Sequence, residues 1–387
     1  MSFAKNRCLE LPVSLVATNQ RNKVTQIETL EYDIAYNATR KIHMGNDILE
    51  ALPDYVRELS SDRFFIITDT DIEMGLLARV ENILSRVAKT HQVPFSAGES
   101  SKTLSTLEAV ATKILDAGAT KTSVIVCLGG GVVGNLGGLL AALLFRGMRF
   151  FHIPTTLIAQ IDSAIGIKQA VNYKKGKNLF GQYYPPEFVF IDFAALRSLP
   201  ERHIKAGIAE SVKHALCQET DFFDFLKQHA GNYSWETIEI IARHTIKLKL
   251  KLLKLDPFEG KLDPQLELGH TIGHAIEIIK MGGLLHGEAI AIGMVVETRL
   301  SLALGYMAKE LQDEIESIFQ KIGLPTKIPA DISIDQIIQI LKYDNKRKTA
   351  RNDFALLEDF TKFHKTNGKI GTKVTDVILR KVLENCY

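Results

Sequence analysis

A chain of 387 residues with 46% apolar and 24% charged residues has the composition of an ordinary globular protein and is long enough for two domains. A formal net charge of +2 gives no electrostatic reason to expect nucleic acid or a membrane surface as a partner. The four cysteines are widely spaced, no stretch approaches the ~18 apolar residues of a membrane span, and the start does not resemble a secretion signal. We therefore expect a soluble, cytoplasmic protein.

The first half of the sequence alternates short β-rich runs with helical stretches, which is typical of a layered α/β domain. We predict strands at residues 64–68, 123–128, 149–153 and 188–191, and helices at 105–117 and 135–144. Beyond about residue 199, helices are predicted over 201–230, 234–255, 267–280, 286–304 and 308–322. Residues 246–255 alternate like a strand, but their helical neighbours favour a helix. The change of character near residues 192–200 predicts a domain boundary.

A glycine-rich turn, residues 129–138, follows a predicted strand and opens a helix. Glycine lets the backbone approach a phosphate, and a helix N-terminus offers free N–H groups to an anion, so a dinucleotide pyrophosphate would fit. The spacing is not G-x-G-x-x-G, and a tight turn of purely structural importance remains an equal alternative. Asp69, at the end of another predicted strand, could accept a ribose hydroxyl or simply cap a helix.

Histidines are concentrated in one part of the second half. His270 and His274 are four residues apart and share one helical face, and His286 opens the next predicted helix. Together with a carboxylate, for which Glu210 is the best candidate, such a set can bind a divalent metal. Two clusters within 17 residues favour ligation or acid–base chemistry over isolated structural histidines. Thr271 follows His270, so the pattern is not that of an H-E-x-x-H peptidase.

A segment rich in lysine, glycine and asparagine, residues 162–181, is interpreted as a basic loop. Lysine ammonium groups beside glycines can clamp a phosphate. Arg146 and the Lys346–Arg347 pair could join the same cluster. For each lysine taken singly, a solvated surface position is the alternative.

The order of these motifs resembles that of the dehydroquinate synthase superfamily of sugar-phosphate cyclases, from about residue 60 to about residue 350. The matching strings are ESSKT (99–103), GGGVVGNLGG (129–138), FRG (145–147), PTT (154–156), IKQAVN (167–172), GKNL (176–179), AES-VK (209–213), GHTIGHAIE (269–277) and LHGE (285–288). The resemblance implies a Rossmann-like NAD-binding domain, residues 1–195, and a mainly helical metal- and substrate-binding domain, residues 196–387. It also implies an active site in the cleft between them, and a homodimer.

The resemblance assigns roles residue by residue. The implied ligands of a Zn²⁺ or Co²⁺ ion are Glu210, His270 and His286. The implied NAD contacts are Asp69, Glu99, Lys102, Gly130, Gly131, Asn135, Thr155, Thr156 and Lys177. The implied substrate and phosphate contacts are Arg146, Asp162, Asn178 and Lys346, and the implied catalytic residues are Lys168, Lys213, Lys249, Glu267 and His274.

Three positions separate branches of the superfamily. Dehydroquinate synthases have an arginine seven residues before the first metal histidine and an asparagine three residues before it, where this chain has Asp263 and Glu267. Replacing an arginine by acidic groups disfavours a carboxylate substrate. Valiolone-type cyclases look to have proline in place of His274. The strings IKQAVN, GKNLFGQYYPPEFVF and DNKR are instead similar to those of 2-deoxy-scyllo-inosose synthases. Alternatively, Pro264 shifts the alignment and Asp263 is a surface loop residue.

Similarity to that branch implies a carbon–oxygen lyase that converts glucose 6-phosphate into 2-deoxy-scyllo-inosose and phosphate, a reaction of aminoglycoside biosynthesis. NAD⁺ would oxidise the C4 hydroxyl transiently, phosphate would leave C6, the hydride would return, and C6 would attack C1 in an aldol closure. The metal would acidify the hydroxyl, and His274 would exchange protons. The alternatives are a 3-dehydroquinate synthase acting on a seven-carbon keto-acid phosphate, a metal-dependent polyol dehydrogenase, and a non-catalytic binding protein.

Overall fold

The computed structural model describes residues 40–174, 176–256, 258, 263–343 and 353–387. The described part of the first half forms eight strands: β1 (Lys41–Gly45), β2 (Arg63–Asp69), β3 (Lys89–Phe95), β4 (Val124–Gly129), β5 (Arg149–Pro154), β6 (Lys168–Tyr173), β7 (Gly176–Tyr183) and β8 (Phe188–Asp192). All but β6 and β7 pair in parallel in one sheet, in the order β1-β8-β5-β4-β2-β3. This sheet confirms the predicted α/β class.

Helices cover both faces of the sheet: α1 (Leu52–Val56), α2 (Met74–Ser85), α3 (Leu104–Asp116) and α4 (Gly131–Leu143). Phe64 and Ile66 of β2 pack with α1 and α2, whereas Phe65 and Ile67 pack with α3 and α4. A strand that is buried on both faces has apolar residues at nearly every position. This explains why the sequences of β2 and β4 are nearly continuous apolar runs.

The direction of winding changes between β2 and β4. The chain leaves β2 through α2 towards β3, whereas it leaves β4 through α4 towards β5 on the other side. In open α/β sheets, ligands bind outside the carboxyl ends of the strands at such a switch point. The topology therefore directs attention to the ends of β2 and β4.

The segment interpreted as a basic loop is an antiparallel hairpin of β6 and β7, so this prediction was wrong. Gln169, Ala170 and Val171 are buried, while most of β7 is exposed. Gly176, Lys177, Asn178 and Gly181, which are among the residues that suggested a loop, lie on β7.

Helices dominate the second half: α5 (Glu201–Gln218), α6 (Thr220–His229), α7 (Trp235–Leu255), α8 (Asp263–Leu266), α9 (His270–Lys280), α10 (His286–Ala303), α11 (Lys309–Ile322), α12 (Ile334–Tyr343) and α13 (Asp376–Glu384). Each predicted helix is present, and the ambiguous residues 246–255 belong to α7. The predicted helix at 201–230 is divided at Glu219, whose backbone is extended.

The last part of the chain before α13 contains six short strands: β9 (Asp353–Phe354), β10 (Leu357–Asp359), β11 (Lys362–Phe363), β12 (Lys365–Thr366), β13 (Lys369–Ile370) and β14 (Thr372–Lys373). The change from strands to helices lies between Asp192 and Glu201, and a domain division at residues 195 and 196 stays a prediction. Within the described residues, no helix has both the length and the apolar character that crossing a bilayer requires.

Candidate metal and cofactor site

Three side chains from three helices meet in the helical half. Glu210 lies fully buried in α5, and His270 and His286 are the first residues of α9 and α10. Oε1 of Glu210 is 3.3 Å from Nε2 of His270 and 3.3 Å from Nε2 of His286. His274 lies one turn further along α9, and the nitrogens of the three histidines lie within 4.8 Å of one another. The structure thus brings the predicted ligands together, with His274 beside them.

The hydrogen bonds of the two rings define their tautomers. Nδ1 of His270 lies 3.1 Å from the carbonyl oxygen of Leu268, and Nδ1 of His286 lies 3.1 Å from Oε2 of Glu277. Because both partners are acceptors, each Nδ1 carries the hydrogen. Each Nε2 faces Oε1 of Glu210, to which a protonated ring donates a hydrogen bond, whereas a neutral ring directs a lone pair there. Two lone pairs and a carboxylate oxygen repel one another unless a proton or a cation lies among them. This donor set fits a divalent metal.

The electrostatic surroundings keep Glu210 ionised. Burial alone would raise the pKa of Glu210, but the Lys213 ammonium, 2.5 Å from Oε2, and the two histidines hold it well below its usual range. Burial would lower the pKa of His286, but Glu277 and Glu210 raise it to about 9. A proton and a metal ion compete for these ligand atoms, so metal binding here depends on pH.

A second buried ion pair adjoins the metal ligands. Nζ of Lys249 on α7 lies 2.9 Å from Oδ1 of Asp162, which belongs to a π-helical turn at Ala159–Ser163. Lys249 and then Lys213 outweigh the effect of burial and hold the pKa of Asp162 below its usual range. Two buried ammonium groups therefore lie beside the ligand cluster. Lys168 begins β6, the strand that follows the turn with Asp162, and Glu267 lies three residues before His270.

At the carboxyl edge of the sheet, the glycine-rich turn and the loop after β5 are closely packed. A Cβ on Gly130 would lie 3.1 Å from Cγ2 of Thr156, and a Cβ on Gly131 would lie 3.1 Å from Oγ of Ser163. The N–H of Thr155 donates to the carbonyl of Gly129 at 3.0 Å. A side chain at either position would crowd Thr156 or Ser163, so the two glycines favour a close approach of a pyrophosphate to the N-terminus of α4.

Two further predicted cofactor residues frame this edge. Asn135 lies in the first turns of α4 and donates through Nδ2 to the carbonyl of Gly131 at 2.9 Å. Asp69 ends β2, the strand next to β4, and burial raises its pKa. Both positions match the switch point that the sheet topology defines.

The remaining predicted cofactor residues form a polar network around the hairpin. Nζ of Lys177 on β7 is 3.3 Å from Oε1 of Glu99 and also pairs with Glu277. Nζ of Lys102 donates to Oδ1 of Asn178 at 2.5 Å. Burial lowers the pKa of Lys102 to about 8. The network connects the sheet edge with the histidine cluster.

One predicted substrate residue, Arg146, is not brought to this cluster. Arg146 is exposed at the end of α4, close to the start of β5 and thus at the opposite edge of the sheet from Gly131. Arg149, three residues later, confirms this placement because its Nη2 donates to the carbonyl of Thr122, just before β4. Lys346 lies outside the described residues. The roles assigned to both remain predictions.

Three glutamates that the sequence did not single out support the ligands. Glu277 lies seven residues after His270, a spacing of two helical turns that could have placed it on the same face. Glu297 is fully buried in α10 and accepts the N–H groups of Gly269 at 2.7 Å and Ile272 at 3.3 Å, which caps α9. No local pattern indicates Glu297, since it lies in an otherwise apolar run.

The third is Glu288, which caps its own helix. Its Oε2 accepts the N–H of Leu285 at 2.8 Å, while Arg202 of α5 donates to both carboxylate oxygens, at 2.6 and 2.7 Å. Glutamate at the third position of a helix is a recognisable capping pattern. The LHGE string therefore contained this signal.

Glycines set the spacing of the three ligand-bearing helices. A Cβ on Gly287 of α10 would collide with the carbonyl of Ala206 in α5, and a Cβ on Gly293 would collide with the carbonyl of Gly269. At both positions backbone contacts backbone. The distances among Glu210, His270 and His286 are therefore fixed by main-chain contact.

Two family profiles match the chain: 3-dehydroquinate synthase N-terminal over residues 92–206 and 3-dehydroquinate synthase C-terminal over residues 207–347. The 2-deoxy-scyllo-inosose synthase of Niallia circulans is 35% identical over 347 residues, covering 88% of this chain and 94% of that protein. The 3-dehydroquinate synthase of Thermoanaerobacter sp. (strain X514) is 37% identical over 322 residues, covering 81% and 90%.

A crystal structure of 2-deoxy-scyllo-inosose synthase complexed with carbaglucose-6-phosphate, NAD⁺ and Co²⁺ matches with a TM-score of 0.83 and 34% identity, over 89% of this chain and 96% of that one. Relatives from both branches are thus similar to the chain to nearly the same degree. Overall identity alone does not separate the two substrates.

Proposed function

Because the chain belongs to the dehydroquinate synthase family and is a sugar-phosphate cyclase, we propose that it is a carbon–oxygen lyase that converts glucose 6-phosphate into 2-deoxy-scyllo-inosose and phosphate. The observation that carries the proposal is the convergence of Glu210, His270 and His286 beside two buried lysine ammonium groups. A similar protein is known in complex with a glucose 6-phosphate analogue, NAD⁺ and Co²⁺, which supports the same ligands here.

When bound, NAD⁺ supplies reversible hydride transfer and the divalent cation supplies Lewis acidity. Glu210 and the two Nε2 atoms would hold the cation, since all three ligand atoms already face one another. Gly130, Gly131 and the N-terminus of α4 would receive the pyrophosphate, and Asp69 would accept a ribose hydroxyl.

The buried cations suit a phosphate leaving group. Lys213 and Lys249 place ammonium groups next to the metal ligands, and Lys168 would add a third. Fixed positive charges in a buried site stabilise negative charge that develops as a phosphate departs. His274, beside the two metal histidines, would move a proton through its imidazole ring.

The choice of substrate rests on two sequence positions shortly before the first metal histidine. Asp263 and Glu267 occupy positions where dehydroquinate synthases have arginine and asparagine. Replacing an arginine fork and an amide by acidic residues disfavours a substrate that carries a carboxylate. Glu267 can instead accept hydrogen bonds from the hydroxyls of a neutral sugar.

Phosphate release with competing substrates tests the proposal. Purified protein with NAD⁺ and Co²⁺ should release inorganic phosphate from glucose 6-phosphate without net accumulation of NADH. His286→Ala should abolish this release, whereas His364→Ala, which removes a histidine stacked on Tyr306 near the C-terminus, should retain it. Full activity of His286→Ala would refute the metal assignment.

A 3-dehydroquinate synthase is the second candidate, favoured by relatives such as the Thermoanaerobacter enzyme. Phosphate release from the seven-carbon keto-acid phosphate, with none from glucose 6-phosphate, would establish it instead.

We also propose a homodimer. Leu179, Phe180 and Tyr183 of β7 and the nearby Leu143 expose 43–52% of their surface, and exposed apolar groups of this size often mark protein interfaces. Sedimentation should give twice the chain mass, and Phe180→Lys should shift it towards the monomer. A monomeric wild type would exclude the dimer.

A further inference from the structure

One carboxylate group connects the hairpin with the metal ligands. Oε1 of Glu277 pairs with Nζ of Lys177 on β7, and Oε2 lies 3.1 Å from Nδ1 of His286. Only 8% of the Glu277 side chain is exposed. Because the two oxygens belong to one delocalised group, a change in the partner of one oxygen alters the charge available to the other.

Lys177 has a second partner on the cofactor side. Its Nζ is 3.3 Å from Oε1 of Glu99, which in turn accepts a hydrogen bond from Nδ2 of Asn172 at 2.9 Å. Lys177 and Glu99 are both among the proposed NAD contacts. An anionic pyrophosphate next to Lys177 would therefore compete with Glu277 for the same ammonium group.

We infer that Glu277 is a positioning residue that couples cofactor binding to metal binding; the inference rests on the proposed function. When a pyrophosphate attracts the Lys177 ammonium, the Glu277 carboxylate retains more negative charge for its hydrogen bond with His286. A stronger hydrogen bond at Nδ1 makes Nε2 a better donor to a metal. NAD⁺ therefore tightens metal binding.

The coupling is reciprocal. A cation at Nε2 of His286 makes the Nδ1 hydrogen more acidic, which draws the Glu277 carboxylate towards the ring and releases Lys177 for an anion. Linkage requires that the metal increases the affinity for NAD⁺ by the same factor, and such factors are typically about 5- to 150-fold.

The affinity for Co²⁺, measured by chelator competition and by the visible spectrum of the bound ion, with and without NAD⁺, tests the coupling. In the wild type, NAD⁺ should tighten Co²⁺ binding by roughly 5-fold or more. Glu277→Gln should weaken Co²⁺ binding about 10- to 100-fold, change the Co²⁺ spectrum, and make the affinity independent of NAD⁺. Lys177→Met should bind Co²⁺ no more weakly than the wild type in the absence of NAD⁺, yet lose the coupling.

A matched control is Glu358→Gln. Oε1 of Glu358 lies 2.9 Å from Nδ1 of His364, so this variant removes an equivalent contact outside the site. It should leave the Co²⁺ affinity and the coupling unchanged. A wild type that binds no Co²⁺ or no NAD⁺ would refute the proposed function together with the coupling. Binding of both without coupling, or coupling that persists in Glu277→Gln, would overturn this inference alone.

Discussion

The beginnings of α9 and α10 perform similar tasks by different means. Each helix starts with a histidine whose Nε2 is 3.3 Å from Oε1 of Glu210. The ring of His270 is held by the carbonyl of Leu268, two residues earlier, whereas the ring of His286 is held by Glu277 from the other helix. A main-chain partner cannot be removed by substitution, but a side-chain partner can be changed and can carry a signal.

The caps of the two helices differ in the opposite direction. Helix α9 is capped by Glu297, fully buried in a neighbouring helix, whereas α10 is capped by Glu288 from its own first turn. The cap of α9 is therefore long-range and that of α10 is local. In α9 the histidine ring has a local partner and the cap comes from a distant residue. In α10 the ring has a distant partner and the cap is local.

The largest effect is expected from the one group that both histidines share. Glu210→Gln should weaken Co²⁺ binding by more than the roughly 100-fold that loss of an outer partner costs. It also leaves the buried Lys213 ammonium without its carboxylate, so the free energy of unfolding should fall by about 3 kcal/mol. Chelator competition and urea unfolding measure the two effects. Glu201→Gln, exposed in the first turn of the same helix, is the control. Unchanged Co²⁺ affinity in folded Glu210→Gln would exclude a shared ligand.

Removal of the distant cap should come next. Glu297→Ala leaves two N–H groups of α9 without acceptors inside the protein, at a cost of about 3 kcal/mol in the free energy of unfolding. Urea unfolding would measure this loss, and exposed Glu310→Ala on α11 should change it by less than about 0.5 kcal/mol. An equally small change in Glu297→Ala would show that α9 does not depend on its cap.

The ion pair of Glu277 and His286 should stabilise the protein only over a limited range of pH. Burial would raise the pKa of Glu277, but His286 and Lys177 hold it below its usual range, so its stabilisation is complete above pH 4.5 and lost as the pH falls. The pKa of His286 is raised to about 9, so its share is complete below pH 6.5 and lost as the pH rises through 9. Between pH 4.5 and 6.5, Glu277→Gln in EDTA should therefore be less stable than the wild type by about 2 kcal/mol. Urea unfolding across pH would measure this difference, and a difference that does not vary with pH would exclude the ion pair.

The smallest effect is expected from the local cap. Glu288→Ala removes the acceptor of the Leu285 N–H and the carboxylate partner of the exposed Arg202 guanidinium, and should cost about 1 kcal/mol in urea unfolding. Arg202→Ala, which leaves the carboxylate in place, should cost less. A loss larger than that of Glu297→Ala would reverse the comparison between the two helices.

The sequence predicted those parts of the fold that local patterns determine. The apolar runs of β2, β4, β5 and β8 and the predicted helices were found within a few residues of their bounds, whereas α1, α2, α12 and α13 were not predicted. The strands β1 and β3 were missed because KIHMG and KTHQVPF have polar residues where an edge strand meets solvent. The hairpin of β6 and β7 was missed because its polar residues and glycines resemble those of a loop.

The candidate site was predictable where a motif is contiguous. His270 and His274 follow from helical spacing and His286 from its place at the start of the next predicted helix. Glu210 was the best carboxylate candidate, but only the resemblance assigned it to the metal. Glu297 could not be predicted, because its partners Gly269 and Ile272 are defined by the packing of α10 on α9. Contacts between distant segments depend on tertiary geometry, which no local pattern contains.

The glycines at which α10 touches α5 and α9 have a consequence for which ions the protein can select. Since main-chain atoms abut at Gly287 and Gly293, α10 cannot move closer to α5 or α9, and this sets a lower limit on the separation of the backbones that carry Glu210, His270 and His286. Ions of different radius must therefore be accommodated by side-chain torsions, such as a tilt of the imidazole rings. An ion that needs a tighter set of ligands than these torsions allow would be bound more weakly.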